Sequence, residues 1–215
     1  MKYKGIVFDF DGTIIDSEEG IAKAFQAALK SKGILEELDL IKGLIGPPLS
    51  RTIITKYGLS EEEGAKAMEV HRNYYRDFGI YESRLFPNVE KMLKIFYDMG
   101  LILMIATNKP ESYSLEQMKY YDIEKYFDSI VGNNESQTRG TKADFIKMAI
   151  NSANIDVGEV VMVGDRYIDI EAGKQVGLKT VGVTYGYGSK EEIENSNPTY
   201  IIKNIMELID IIKEG

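Results

Sequence analysis

The chain has 215 residues, 44% hydrophobic and 28% charged, which is enough to bury a full core as one domain plus an insertion or as two small domains. A net charge of −8 argues against a nucleic-acid polymer or an anionic membrane as partner, and the absence of cysteine excludes both a disulfide framework and a cysteine nucleophile, while a single histidine, His71, excludes a multi-histidine metal centre. No apolar run reaches membrane-spanning length and Met1-Lys2-Tyr3-Lys4-Gly5 lacks the features of a signal peptide, so the expected setting is cytoplasmic.

Ile6 to Phe10 reads as a first strand, running into Asp9-Phe10-Asp11-Gly12-Thr13. Residues two apart in an extended chain point to one side, so Asp9 and Asp11 can face one small volume. From Asp16 to Phe86 the patterning is helical, without a convincing strand. Ile21, Phe25, Ala28 and Leu29 form one amphipathic face, and Ser60 caps a helix that opens on Glu61-Glu62-Glu63. Gly46-Pro47-Pro48-Leu49-Ser50-Arg51 is either a stiff loop whose Arg51 reaches an anionic substrate or a turn with a surface arginine. His71 reads as a surface or packed residue without a catalytic role, and Tyr74, Tyr75, Phe78 and Tyr81 as packing of the same segment.

Beyond Pro87 strands and helices alternate. Val89, Met92, Leu93 and Phe96 mark a helix, and Leu101 to Ala106 is a continuous apolar strand of the kind buried on both faces. Ser129 to Val131 is a short strand candidate. Ile146, Ala149, Ile150 and Ala153 mark the next helix, Val160 to Val163 a strand, Asp169 to Val176 a short helix, and Thr180 to Val183 a strand. Thr199 to Ile201 is a last short strand candidate before the helix of Ile205, Leu208, Ile209 and Ile212. This alternation predicts an α/β fold with a Rossmann-like parallel sheet and right-handed crossovers, built from residues 1–15 and 87–215, with a helical insertion over 16–86.

Four polar motifs stand at strand exits or helix starts: Asp9-x-Asp11-Gly12-Thr13; Ala106-Thr107-Asn108-Lys109; Lys142 after Ser136-Gln137-Thr138-Arg139-Gly140-Thr141; and Gly164-Asp165-Arg166-Tyr167-Ile168-Asp169. The carboxyl ends of parallel strands form the ligand-binding edge of an open α/β sheet. Asp9, Asp11, Asp165 and Asp169 would converge there. Two carboxylates about 4 Å apart repel by roughly 4 kcal/mol at an effective dielectric of 20, so the cluster needs a cation. Oxygen-only ligands select a hard ion, Mg²⁺. With Lys142 and backbone N–H groups beside it, the set suits a phosphoryl group. Taken singly, each motif has an ordinary structural reading. Asp11-Gly12 can be a hairpin turn, Thr107-Asn108-Lys109-Pro110 a capped turn, Lys142 a helix-surface lysine, and Gly164-Asp165 with Asp169 a turn and a solvated helix face.

In this order the four motifs resemble the haloacid dehalogenase superfamily of aspartate-nucleophile phosphatases, over nearly the whole chain, with the helical segment matching a cap domain. The resemblance implies that Asp9 attacks phosphorus and forms an aspartyl-phosphate. Asp11 would protonate the leaving oxygen and then activate water. Mg²⁺ would be held by the Asp9 side chain, the Asp11 carbonyl and Asp165, with Asp169 behind them or acting through water. Gly12, Thr107, Asn108 and Lys142 would hold the phosphoryl oxygens. Gly46 to Arg51, Leu85-Phe86-Pro87 and Tyr185-Gly186-Tyr187-Gly188 look like phosphoglycolate phosphatase-like and small nucleotidase-like members. The implied substrate is a small phosphorylated metabolite, and the implied assembly a monomer or weak homodimer. Alternatives are a phosphosugar mutase of the β-phosphoglucomutase type, against which Thr13 stands, and a non-catalytic phosphate-binding module. Two departures stand out. Arg166 follows Asp165 where some members carry a second acid, and the unusual stretch before Lys142 leaves Lys109 as a rival for part of its role.

Overall fold

The computed structural model describes residues 3–45 and 49–214. In chain order the strands are β1 (Gly5–Phe8), β2 (Ile15–Asp16), β3 (Arg84–Leu85), β4 (Ile102–Pro110), β5 (Ser129–Asn133), β6 (Val160–Gly164), β7 (Lys179–Val183) and β8 (Tyr200–Ile202). The α-helices are α1 (Glu18–Lys30), α2 (Leu38–Lys42), α3 (Leu49–Thr55), α4 (Glu61–Tyr74), α5 (Val89–Asp98), α6 (Glu111–Tyr120), α7 (Lys142–Ala153), α8 (Tyr167–Val176), α9 (Lys190–Asn195) and α10 (Leu208–Glu214).

The chain divides into two compact units, one of residues 1–16 and 85–215, the other of residues 17–84. The first is a six-stranded parallel sheet in the order β5-β4-β1-β6-β7-β8. Its strands alternate across the two faces as a period of two requires. Ile6 and Phe8 of β1, Leu103 and Ile105 of β4, and Val161 and Val163 of β6 belong to one apolar cluster with α5 residues Val89, Met92, Leu93 and Phe96. Val7, Met104, Ala106, Val160 and Met162 belong to the cluster on the other face, with Phe145, Ile146, Ala149 and Ile150 of α7. Burial on both faces is why these strands read as unbroken apolar runs.

The register places the polar motifs. Phe8 of β1 pairs with Ile105 on one side and Val163 on the other. Asp9, just past β1, Thr107 within β4 and Asp165, just past β6, therefore stand within a residue or two of the same level. The chain runs from β1 through β4 to β5, then crosses back to β6 on the opposite flank of β1. That reversal makes the carboxyl end of β1 the crevice of the sheet. The hairpin reading of Asp11-Gly12 is not adopted: Asp11 makes an isolated bridge to Ile15, and among the described residues β1 pairs with β4 and β6 alone.

The second unit is helical. Ala22, Phe25, Ala28 and Leu29 of α1, Ile41, Ile53 and Ala67 form its core. Ser60 is the N-cap of α4 with acids in the first turn, as expected, and it and Glu63 further form a capping box. At its end α4 passes into one π-helical turn, Tyr75–Gly79. Of the four aromatics expected to pack this segment, Tyr75 is buried, but Phe78 and Tyr81 are 59% and 42% exposed. The π turn widens the helix there and changes the residue spacing on which that expectation rested. Gly46, Pro47 and Pro48 lie outside the described residues.

Candidate active site

Lys142 opens α7, with Thr141 as its N-cap. A cation at a helix N-terminus faces the positive end of the helix dipole, and burying it costs more still. Yet Lys142 is only 3% exposed. Two carboxylates offset both costs: its Nζ lies 2.6 Å from Asp9 Oδ1 and 2.8 Å from Asp169 Oδ1. Burial alone would lower the ammonium pKa, but Asp169 and Asp9 outweigh it and hold the group firmly charged. The surface-lysine reading of Lys142 is thereby replaced.

Asp169 lies in the first turn of α8, and its Oδ2 accepts from Arg166 N at 3.0 Å. One oxygen caps the helix while the other meets Lys142. Asp165, fully buried, accepts from Tyr187 N at 2.8 Å on Oδ2 and from Thr13 Oγ1 at 3.4 Å on Oδ1. Asp9 is tied to the neighbouring strand by its own N–H, which donates to Val163 O at 2.8 Å, and its Oδ1 accepts from Phe10 N at 2.7 Å. Two glycines allow these approaches. Gly12 has φ +84°, and a Cβ there would stand 2.2 Å from Asp165 Oδ2; a Cβ on Gly186 would stand 2.3 Å from Gly12 O.

Carboxylate oxygens of Asp9, Asp165 and Asp169 all lie within 4.8 Å of one another. Burial, followed by the charge of Asp169, raises the Asp9 pKa to about 7 despite Lys142. Burial and then the charges of Asp169 and Asp9 push Asp165 well above the usual carboxylate range. With all three acids ionised, the one lysine would leave an excess of two negative charges in a largely buried, oxygen-only donor set, and the raised pKa values express that cost. That set fits a hard divalent cation.

Asp11 takes a different course. Its Oδ1 pairs with Lys109 Nζ at 2.9 Å, and it is not part of the three-acid cluster. The expected convergence of four carboxylates is corrected to three, because the turn at Gly12 and the buried lysine draw Asp11 aside. Lys109 N also donates to Thr107 Oγ1 at 3.2 Å. Thr107 is buried, while Asn108 is exposed beside it. Arg51 is exposed on α3 of the helical unit. Arg166 donates to Glu192 Oε1 at 2.7 Å, and Glu192 lies outside the acid cluster.

Residues 6–183 match the sequence model of the haloacid dehalogenase-like hydrolases. The chain belongs to this family. Among relatives of this hydrolase, a 5'-nucleotidase of Pseudomonas aeruginosa is 31% identical over 99% of the chain and 97% of its own length. A phosphoglycolate phosphatase of Vibrio parahaemolyticus is 31% identical over 97% and 96%. A crystal structure from Clostridium difficile, carried under a provisional phosphatase name, superposes with a TM-score of 0.95 at 40% identity over 99% of both chains. The haloacid dehalogenase-like chain is thus an enzyme of the phosphatase class. Among its described residues no helix is long and apolar enough to cross a membrane.

Sequence reading missed two partners. The sequence offers Lys109 only as a rival of Lys142, and Tyr187 only within the family-like string Tyr185-Gly186-Tyr187-Gly188. The residues beside Lys109 and Tyr187 give no sign of which acid each meets; Asp11 lies 98 residues from Lys109 and Asp165 lies 22 from Tyr187.

Proposed function

We propose that this hydrolase is a Mg²⁺-dependent phosphatase of small phosphomonoesters, phosphoglycolate- or nucleotide-like, acting through an aspartyl-phosphate on Asp9. The observation that carries the reading is the buried cluster of Asp9, Asp165 and Asp169 around Lys142 at the carboxyl end of the central strand. Asp9, Asp165 and the Asp11 carbonyl would hold Mg²⁺, with Asp169 behind them. The bound ion would offset the excess negative charge and polarise the phosphoryl oxygens.

Asp9 supplies the nucleophilic oxygen. As its bond to phosphorus forms, the ester P–O bond breaks and the leaving oxygen takes the proton of the Asp11 carboxyl. Asp11, now a carboxylate, draws a proton from the water that attacks the aspartyl-phosphate, which returns free Asp9 and inorganic phosphate. Lys142 stays charged throughout and, with Thr107, Gly12 and the Asn108 N–H, holds the phosphoryl oxygens. The unit of residues 17–84 is assigned the role of a substrate-selecting cap, with Arg51 as its cation for an anionic substrate. The names of the two relatives, a 5'-nucleotidase and a phosphoglycolate phosphatase, support the substrate class.

The test is phosphate release from phosphoglycolate, nucleoside monophosphates, hexose phosphates and pyrophosphate, in Mg²⁺ and in EDTA. Release is expected only with Mg²⁺, and Asp9→Asn should lower it by at least about 10³-fold while leaving the protein folded. Full activity of Asp9→Asn, or no release by the folded wild type, would overturn the reading.

A further inference from the structure

The two buried lysines divide the carboxylates between them. Lys142 meets Asp9 and Asp169, whereas Lys109 meets Asp11. Lys109 stands at the end of β4, 8% exposed, with Nζ 5.5 Å from the centre of the Phe10 ring and 2.9 Å from Asp11 Oδ1. Phe10 is itself fully buried. The ammonium therefore rests between an aromatic face and a carboxylate, and it does not trail into solvent as a long cationic side chain does by default. Through its backbone N–H the same residue also reaches the Thr107 hydroxyl.

We propose that Lys109 is the positioning residue of Asp11, deciding which carboxyl oxygen carries the proton delivered to the leaving group. The inference rests on the phosphatase reading above. An ammonium has donors only. While it donates to Oδ1, a proton on the Asp11 carboxyl is confined to Oδ2, and the pair of contacts on Nζ holds the carboxyl against rotation. In the first step the P–O ester bond breaks, its electron pair goes to the leaving oxygen, and the Oδ2 proton follows. Lys109 neither gains nor loses a proton in the cycle. Its contribution is the orientation of the carboxyl group, which is where general acids gain or lose most of their effect.

The leaving group separates this role from a structural one. An alkyl ester needs the proton, and a p-nitrophenyl ester does not. The value of kcat/KM is measured for p-nitrophenyl phosphate and for the alkyl phosphomonoester released fastest in the panel. Lys109→Met should lower kcat/KM for the alkyl ester by about 30-fold and for the aryl ester by less than about 3-fold. Lys109→Arg, which keeps a donor to Oδ1, should recover part of the alkyl rate. Once Asp11→Asn has removed the acid, adding Lys109→Met should cost less than about 3-fold further. Equal losses on the two esters, or a full further loss in the Asp11→Asn background, would overturn the proposal and leave the phosphatase reading standing. A folded wild type inactive on both esters would remove the two together.

Discussion

His71 is half-buried in the helical unit, its two ring nitrogens shielded from solvent and neither hydrogen-bonded to any described residue, and it stacks on Tyr75 at 6.2 Å with the rings 3° from parallel. Burial, and secondarily the charge of Arg72, lowers its pKa from 6.5 to about 4. Between those values the unfolded chain holds a proton that the folded chain refuses, so stability rises with pH across this window and is lost as pH falls from 6.5 toward 4. The full loss is on the order of 3 kcal/mol. His71→Phe keeps the stacked ring and removes the titration. Its melting temperature should therefore fall less than that of the wild type between pH 7 and pH 4.5, as followed by circular dichroism. Parallel acid-side curves for the two proteins would contradict this. The sequence identified His71 as the only histidine and left it as either a surface or a packed residue; the shielding of its ring nitrogens depends on what surrounds α4 in the folded unit.

At the scale of elements, the segment between β7 and α9 holds the acid cluster in place. Tyr185 OH donates to Thr13 O at 2.9 Å, Tyr187 N donates to Asp165 Oδ2, and Gly186 passes between them against Gly12 O and Asp165 Cβ. A methyl group at Gly186 has no room, since its neighbours are backbone and the base of a short side chain. Gly186→Ala should push the loop off Asp165, break the Tyr187 bond and weaken Mg²⁺ activation about tenfold, in line with the loss of other outer partners of metal ligands. A titration of activity against Mg²⁺ concentration measures it; an unchanged midpoint would show that the loop gives way without disturbing Asp165. The motif Tyr185-Gly186-Tyr187-Gly188 was legible as a string. Its purpose was not, because a turn rich in glycine looks alike whether it faces solvent or a carboxylate. By contrast β1, β4, β6, α5 and α7 were legible directly: runs buried on both faces and i, i+3, i+4 repeats are written in adjacent residues.

At the scale of the whole molecule, three apolar clusters divide the burial, two on the faces of the sheet and one in the helical unit. The charged centre belongs to the sheet unit, and without a counter-ion its excess acids oppose folding. Mg²⁺ should therefore raise the melting temperature of this protein, and EDTA should lower it. At about 100 times the dissociation constant the gain is about 2.7 kcal/mol, and for a chain of this size each kcal/mol moves the midpoint by roughly 2–4 °C. Calorimetry in Mg²⁺ and in EDTA at pH 7.5 would check this, and Asp165→Asn should reduce the shift. No dependence on Mg²⁺ would contradict the donor set assigned above.

The sequence by itself determined the α/β alternation, the helical interruption after the first strand, and the candidate residues Asp9, Asp11, Thr107, Lys142, Asp165 and Asp169. Each of these is a local signal, a period or a polar group at the end of an apolar run. Only the tertiary structure decided which charge meets which. It sent Asp11 to Lys109, joined Lys142 to both Asp9 and Asp169, and set Tyr187 N on Asp165. Strand register and the crossover from β5 to β6 bring these groups together from distant parts of the chain. Electrostatic pairing acts over a few ångströms of space, and no spacing along the sequence encodes it.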